Sequence, residues 1–140
     1  MDDPHNLERF IAAQAPVYPT VLAELKAGRK RSHWMWFIFP QLAGLGHSTM
    51  ARQFAIASLD EAAAYLAHSV LGARLRECST LLARVDGRSA YEILGAPDDK
   101  KFHSSMTLFA HAAPIDPVFQ QCLDQYYDGV ADPATLALIG

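Results

Sequence analysis

The most constraining feature of this chain is an apolar segment between Ser32 and Gln41 that reads SHWMWFIFPQ. Four of its ten side chains are aromatic, and they include both tryptophans of the protein. Basic residues 29–31 precede it, and Pro40 and a Gly44–Gly46 turn follow. This combination suits a pocket with a stacking surface and an anion-holding rim, and it equally suits a core segment with a polar entry. The segment is expected as either a buried helix or an extended stretch through the core, which hydrophobic periodicity does not separate.

Length and charge limit the classes of function. A chain of 140 residues is the size of one domain with a real core, so residues 1–140 are expected as a single helical domain. The net charge of −3 provides no global positive field, which argues against extended nucleic acid or a membrane surface as partner. The acidic N-terminus does not resemble a signal peptide, and no apolar run approaches the roughly 20 residues of a membrane span. A cytoplasmic location is expected.

The cysteine and histidine patterns point away from metal chemistry. Cys78 and Cys122 belong to no CxxC pair and have apolar neighbours in helical patterns, so buried thiols are expected rather than a disulfide. The six histidines include no i,i+4 pair, and no His/Cys cluster has zinc spacing. The sequence therefore predicts no metal site and no cofactor.

Helical signals dominate the remainder of the chain. Ser58–Glu61 and Ser89–Glu92 have the capping-box pattern, in which serine is followed by glutamate three residues later. An apolar stripe spaced by four and three residues predicts the longest helix from about Val70 to Val85. Further helix starts are expected at Asn6, Tyr18, Ser48, Asp98, Asp116 and Asp132, and Gly28 is expected to end the second helix. The predicted fold class is a compact all-α domain of about seven or eight short helices.

The first candidate site lies at the basic entry to the aromatic segment. Lys30 and Arg31 supply the positive charge that a phosphate needs, and Trp34 or Trp36 supplies a surface on which a base can stack. His33 is a candidate for proton transfer. The alternative is that the basic residues complement a helix C-terminus while the tryptophans pack in the core. Gln41 is expected to line the same pocket at the far end of the segment.

The second candidate site lies in the run DDKKFHSSMT from residue 98 to residue 107. On a helix, Asp99, His103 and Thr107 share one face, and an acid that orients a histidine is suited to general acid–base chemistry. Ser104 and Ser105 are unfavourable residues for a helix interior, so a role other than helix formation would explain their presence. The alternative is ordinary helix pairing, with serines that allow neighbouring helices to approach. We expect residues 104–107 to pack against the segment 33–39, with the hydroxyl groups satisfying the indole N–H groups or a ligand.

Several of these motifs together resemble one small bacterial family of unknown function, whose members often carry the label calpastatin. The resemblance covers nearly the whole chain and rests on the runs 28–42 (GRKRSHWMWFIFPQL) and 104–109 (SSMTLF), with support from residues 7–14, 65–75 and 128–136. Residue 69 is serine where the family pattern has proline. The resemblance implies a compact, mainly helical domain of bacterial origin and supplies no activity. Calpastatins are long, polar and disordered, which this composition is not.

The leading hypothesis is a domain that binds or processes a phosphorylated, base-containing small molecule, such as a nucleotide or an ADP-ribose derivative. A fainter similarity in size to small helical N-glycosidases makes hydrolase or N-glycosidase chemistry the form that an enzyme of this kind would take. The alternative is a non-enzymatic helical protein-interaction module in which the aromatic segment is core. The candidate catalytic residues are His33 and His103, and the candidate ligand-binding residues are Lys30, Arg31, Trp34, Trp36, Gln41, Ser104, Ser105 and Thr107.

Overall fold

The computed structural model describes residues 2–139, which form ten helices. They are α1 (Glu8–Gln14), α2 (Tyr18–Lys26), α3 (Met35–Ile38), α4 (Thr49–Gln53), α5 (Leu59–Ala67), α6 (Leu71–Ala83), α7 (Ala90–Leu94), α8 (Asp98–Ala112), α9 (Pro117–Tyr127) and α10 (Pro133–Ile139). Within these residues the β-structure is one isolated parallel bridge between Leu42 and Ile56. The all-α prediction is confirmed, and none of the described helices is long and apolar enough to cross a bilayer. The count exceeds the expected seven or eight, and the helix whose start was not among the expected ones is α3, which is too short to show a helical period.

Helix caps explain most of the boundaries. The Ser89–Glu92 capping box is complete, with each side chain bonded to the other residue's backbone N–H. At Ser58 only half of the box forms: the serine hydroxyl accepts from the Glu61 backbone N–H. The Glu61 carboxylate is 4% exposed and instead pairs with Arg9 at 2.9 Å. It is therefore a buried partner that ties α1 to α5.

Two of the expected N-cap residues do not make the side-chain hydrogen bond that would cap their helix. At the start of α1 the side chain of Asp3, rather than that of Asn6, accepts from two backbone N–H groups, at 2.8 and 3.0 Å. Asn6 instead adopts a left-handed backbone with φ of 51°. Asp116 precedes α9 as expected, but its carboxylate bonds to Arg76 and not to the helix backbone. Asp116 therefore forms an ion pair with Arg76 instead of capping the first turn of α9.

Helix α8 lies at the centre of the domain and packs against α5, α7, α9 and α10, while α6 packs against α2, α5 and α9. Residues 104–109 of α8 are all buried, which is possible because serine and threonine let neighbouring helices come close. Phe102 contacts Phe39 edge to face, with ring centroids 4.9 Å apart. The predicted stripe of α6 is confirmed in its buried side chains, Leu71, Leu75, Cys78 and Leu82.

Both cysteines are free and buried, as expected from the sequence. Burial raises the pKa of Cys78 and of Cys122 to about 12 in each case. Neither thiol is therefore ionised to a useful extent at neutral pH.

The aromatic segment is a single helical turn, α3, embedded in the core. Trp34 and Phe39 are each 1% exposed, and Phe37 is also buried, whereas Trp36 remains half-buried. The backbone carbonyl of Phe37 accepts a hydrogen bond of 2.7 Å from the side chain of Gln14, which is itself buried. This bond satisfies an acceptor at the end of a helix that is too short to satisfy itself.

The entry to this segment is fixed by one buried carboxylate. Glu24 of α2 accepts hydrogen bonds from the backbone N–H groups of Arg31 and Ser32, from the Ser32 hydroxyl and from the Trp34 indole N–H, at 2.6–3.1 Å. Burial alone would raise the pKa of this carboxyl group. The four donors outweigh burial and lower the pKa of Glu24 to about 2.

The Glu24 cluster makes stability depend on pH. Because the folded pKa lies below the ordinary value of 4.5, the carboxylate contributes about 3 kcal/mol above that value. The contribution is lost as the pH falls through the folded pKa. We expect Glu24→Gln to lower the free energy of unfolding by about this amount at pH 7 and by much less near pH 2.5. Urea unfolding at both pH values checks this, with exposed Glu8→Gln as the control. An equal loss at both pH values would contradict it.

Candidate functional site

A cleft lies between the start of α8, the start of α10 and the loop that follows the aromatic segment. Its volume is about 440 Å³, within the usual range for a small-molecule site. The residues that line it are Gln41, Leu45, Gly46, Pro97, Lys100, Lys101, His103, Ser104, Asp132, Pro133 and Ala134. Both candidate motifs of the sequence contribute to this cleft, Gln41 from the first and four α8 residues from the second.

Asp132 joins the two helices that form the cleft. Its carboxylate accepts from the Ser104 hydroxyl at 2.8 Å and from the Thr135 hydroxyl at 2.6 Å, and it also caps the first turn of α10. The Thr107 hydroxyl accepts from the Asp132 backbone N–H. Burial would raise the pKa of Asp132, but the bonds from Thr135 and Ser104 lower it on balance. The hydroxyls of Ser104 and Thr107 therefore hold α10 in place, and neither indole N–H bonds to a hydroxyl of α8.

The loop wall depends on a glycine. A side chain at Gly46 would place its Cβ 2.6 Å from the Cβ of Ala51 and 3.0 Å from the amide nitrogen of Gln41. Such contacts are too short for a real carbon atom, so this position requires glycine. The close approach packs the loop against the side chain of Gln41 and sets the edge of the cleft.

Two lysines and one aspartate form a charged cluster beside the cleft. Lys30 and Lys101 share one carboxylate, Asp98, with N···O distances of 2.8 and 4.0 Å. The Lys30 ammonium lies 5.1 Å from the ring centroid of Trp34, and the Lys101 ammonium lies 5.2 Å from that of Trp36. Because two cations share one anion, the cluster keeps a surplus positive charge at the cleft.

A smaller chamber continues behind the cleft. It is lined by Met35, Trp36, Phe39, Gln41, Ala51, Phe54 and Lys101, so it shares Gln41 and Lys101 with the cleft. Its volume is about 10 Å³, close to the space of a single water. The indole N–H of Trp36 is buried and has no protein partner among the described residues.

The structure brings some predicted site residues together and separates others. Gln41, His103 and Ser104 line the cleft, and Trp36 lines the chamber behind it. Lys30 faces Asp98 beside Trp34, which is core. Four further predicted residues lie outside the cleft lining: exposed His33 and Arg31, and buried Ser105 and Thr107.

His103 has a fixed environment on the cleft wall. Its ring stacks on Tyr127, with centroids 4.0 Å apart and planes at 5°, and its Nε2 lies 2.7 Å from the Val130 carbonyl. A carbonyl only accepts, so Nε2 carries the proton and Nδ1 is the free acceptor of the neutral ring. Asp99, expected to orient this histidine, instead accepts at its side chain from the Lys100 backbone N–H.

Lys100, Lys101 and Asp132 line the cleft although the sequence analysis did not select them as ligand-binding residues. Asp132-Pro133 shows only an N-cap pattern in sequence, and no local signal links it to a helix about thirty residues earlier. The two lysines follow two aspartates, which is the ordinary composition of a first helical turn. Their position at the cleft follows from the packing of α8.

Comparisons with known proteins place the chain near others without an assigned activity. A family described as "Protein of unknown function (DUF1810)" matches residues 4–139. The crystal structure of the conserved hypothetical protein Rv1873 from Mycobacterium tuberculosis is similar, with a TM-score of 0.97 and 56% sequence identity over 98% of each chain. The comparison with curated proteins gives no match.

The role of Asp132 leads to a test of the cleft wall. We expect Asp132→Ala to cost about 1 kcal/mol of stability, as the loss of a helix cap does, and to release α10 from α8. Hydrogen exchange measured by mass spectrometry should show faster exchange in residues 133–139 than in α6. Asp124→Ala, an exposed aspartate on α9, is the control. Unchanged exchange in α10 would show that Asp132 does not hold it.

Proposed function

The chain belongs to the DUF1810 family of proteins of unknown function, and we propose that its cleft binds a small phosphorylated molecule that also carries a base. The observation that carries the proposal is the convergence of Lys100 and Lys101 with the side chain of Gln41 on one cleft of about 440 Å³. Ammonium groups are donors only, and they favour the oxygen atoms of a phosphate.

The remaining polar groups of the cleft support an anion rather than a cation. Asp132 is its acidic lining residue, and Ser104 and Thr135 both donate to its Oδ2 atom. Asp98 is occupied by two lysines. Lys100 and Lys101 outnumber the lining carboxylate of Asp132, and their ammonium groups have spare hydrogen-bonding capacity for the oxygen atoms of an anion.

The apolar walls suit the uncharged part of such a ligand. Leu45, Pro97, Pro133 and Ala134 give the cleft flat, apolar surfaces next to the lysines. A pocket with mostly apolar walls and a few convergent polar groups is typical of small-molecule sites. Trp34 takes no part in this proposal because it is buried and its indole N–H is bonded to Glu24.

His103 is the side chain of the cleft that we assign to proton transfer, because an imidazole ring has both a donor and an acceptor nitrogen. Its Nδ1 is the free acceptor, because Nε2 donates to the Val130 carbonyl. In a hydrolytic or N-glycosidase reaction on the bound molecule, His103 is the residue that we assign as general base. Exposed His33, outside the cleft lining, has no role in this proposal.

The first test of this proposal removes one cleft charge. We expect wild-type protein to bind AMP, ADP-ribose or ribose 5-phosphate at low salt, and Lys101→Met to weaken the tightest of these by about tenfold or more. Methionine keeps an apolar stem of similar length. Isothermal titration calorimetry measures the affinity.

A matched variant keeps this test specific. Arg52→Met removes an exposed basic side chain from α4, outside the cleft lining, and should leave the affinity unchanged. Equal weakening in the two variants would indicate nonspecific attraction. No binding of any phosphorylated probe to folded wild-type protein at millimolar concentration would overturn the proposed function.

A second candidate function is supported by a basic face on another part of the surface. This face consists of Lys26, Arg29, Arg31, Arg84 and Arg88, which line two adjacent grooves that share Ala27. The ion pairs within residues 2–139 engage other lysines and arginines and none of these five. The face fits an acidic segment of a partner protein, because the overall charge of −3 disfavours nucleic acid. This is the protein-interaction alternative, with most of the aromatic segment as core.

Charge reversal tests the basic face. We expect the double variant Arg29→Glu, Arg31→Glu to lose binding of a fluorescent glutamate-rich peptide, measured by anisotropy at low salt, because attraction becomes repulsion. The backbone N–H of Arg31, which donates to Glu24, is retained in the variant. Arg52→Glu, an exposed arginine on α4, is the control. Identical peptide binding by the double variant and the control would exclude the face.

A further inference from the structure

The chamber behind the cleft is lined by Trp36, whose indole N–H makes no hydrogen bond to any acceptor among the described residues. The indole nitrogen of Trp36 carries a hydrogen, only donates, and is buried without a partner. Lys101 also donates only, and Gln41, whose amide has both a donor and an acceptor, makes no hydrogen bond to the indole. Two donor-only groups cannot satisfy each other. An unsatisfied buried donor costs about 1–3 kcal/mol, so an acceptor atom is expected to occupy the chamber.

The size of the chamber restricts that acceptor to one atom. A volume of about 10 Å³ is close to the minimum for one water molecule and cannot hold a ring or a whole phosphate group. The walls contributed by Met35, Phe39, Ala51 and Phe54 are apolar, so the polar character comes from Trp36, Lys101 and Gln41. A single oxygen atom meets both the size and the hydrogen-bonding requirement.

The position of the chamber links it to the proposed ligand. Gln41 and Lys101 line both spaces, so a group in the cleft lies next to the chamber. Packing of Gly46 against the amide of Gln41 fixes this boundary. The Lys101 ammonium is held only loosely by Asp98, at 4.0 Å, while Lys30 makes the shorter bond to that carboxylate at 2.8 Å. Lys101 is therefore the lysine that is available to a ligand oxygen.

We propose that the chamber is an oxyanion subsite, in which Trp36 and Lys101 donate to one non-bridging oxygen of a phosphoryl group. The phosphoryl group is bound in the cleft beside Gln41 and Lys101, where the cleft meets the chamber. The inference rests on the proposed function and adds the orientation of the ligand. The phosphoryl end lies against Trp36, and the base extends toward Pro133 and Ala134. Trp36 acts as a hydrogen-bond donor and not as a stacking surface. In the free protein one water takes the place of the oxygen.

The indole N–H groups give a direct readout of this subsite. A ¹⁵N–¹H correlation spectrum shows one indole signal from each tryptophan, and the signal missing from Trp36→Phe identifies that of Trp36. Titration with inorganic phosphate at low salt should move the Trp36 signal downfield as a stronger acceptor replaces water. The Trp34 signal should stay in place, because its N–H is already bonded to Glu24.

Two lysine variants distinguish the subsite from the rest of the cleft. Lys101→Met should abolish the phosphate-induced shift of the Trp36 signal. Lys100→Met, which changes the cleft but not the chamber, should weaken phosphate binding while the full shift remains at saturation. Uncharged ribose should produce no shift.

The outcomes distinguish this inference from the proposed function. Shifts of the Lys100 and Ser104 backbone amides with an unmoved Trp36 indole would overturn the subsite and leave anion binding in the cleft. No shift at any of these positions with phosphate, ribose 5-phosphate or ADP-ribose at millimolar concentration would overturn both the subsite and the proposed function. A Trp36 shift that survives in folded Lys101→Met would remove the lysine from the subsite.

Discussion

One buried carboxylate determines how the aromatic segment enters the core. Glu24 gathers four donors from Arg31, Ser32 and Trp34, which compensates its removal from water and fixes the turn that leads into α3. A second buried polar side chain, Gln14, satisfies the end of the same short helix. With both ends held from α1 and α2, four of the five apolar side chains in residues 34–38 are buried and Trp36 is left at the boundary with the cleft.

Local patterns in the sequence predicted the helices well where the stabilising interactions are local. The Ser89–Glu92 box and the stripe of α6 depend on residues three or four positions apart, and both were found as expected. Prediction failed where a distant partner intervened. Arg9 forms an ion pair with Glu61, which therefore does not complete its capping box. Arg76 forms an ion pair with Asp116, which therefore does not cap α9. These contacts span 52 and 40 residues, so no local pattern contains them.

The candidate site was predictable to a similar extent. Gln41, His103 and Ser104 were selected from their motifs and lie together in one cleft. The contribution of Lys101 and Asp132 was not visible, because it arises when α10 folds back onto α8. The partner of the Trp34 indole was also missed: a carboxylate ten residues earlier on α2 takes the role that the sequence analysis gave to serine hydroxyls. The sequence patterns identified the segments that form the cleft, whereas tertiary packing determines which of their side chains line it.

The buried thiols have a practical consequence for labelling. With pKa values near 12, about one in ten thousand molecules carries a thiolate at pH 8, and both sulfur atoms are shielded by the core. Maleimide and iodoacetamide reagents should therefore leave Cys78 and Cys122 untouched in the folded protein. A cysteine introduced on the surface of α10 can carry a fluorophore or spin label without prior removal of the native pair. Distances between that label and the cleft then become measurable in otherwise wild-type protein.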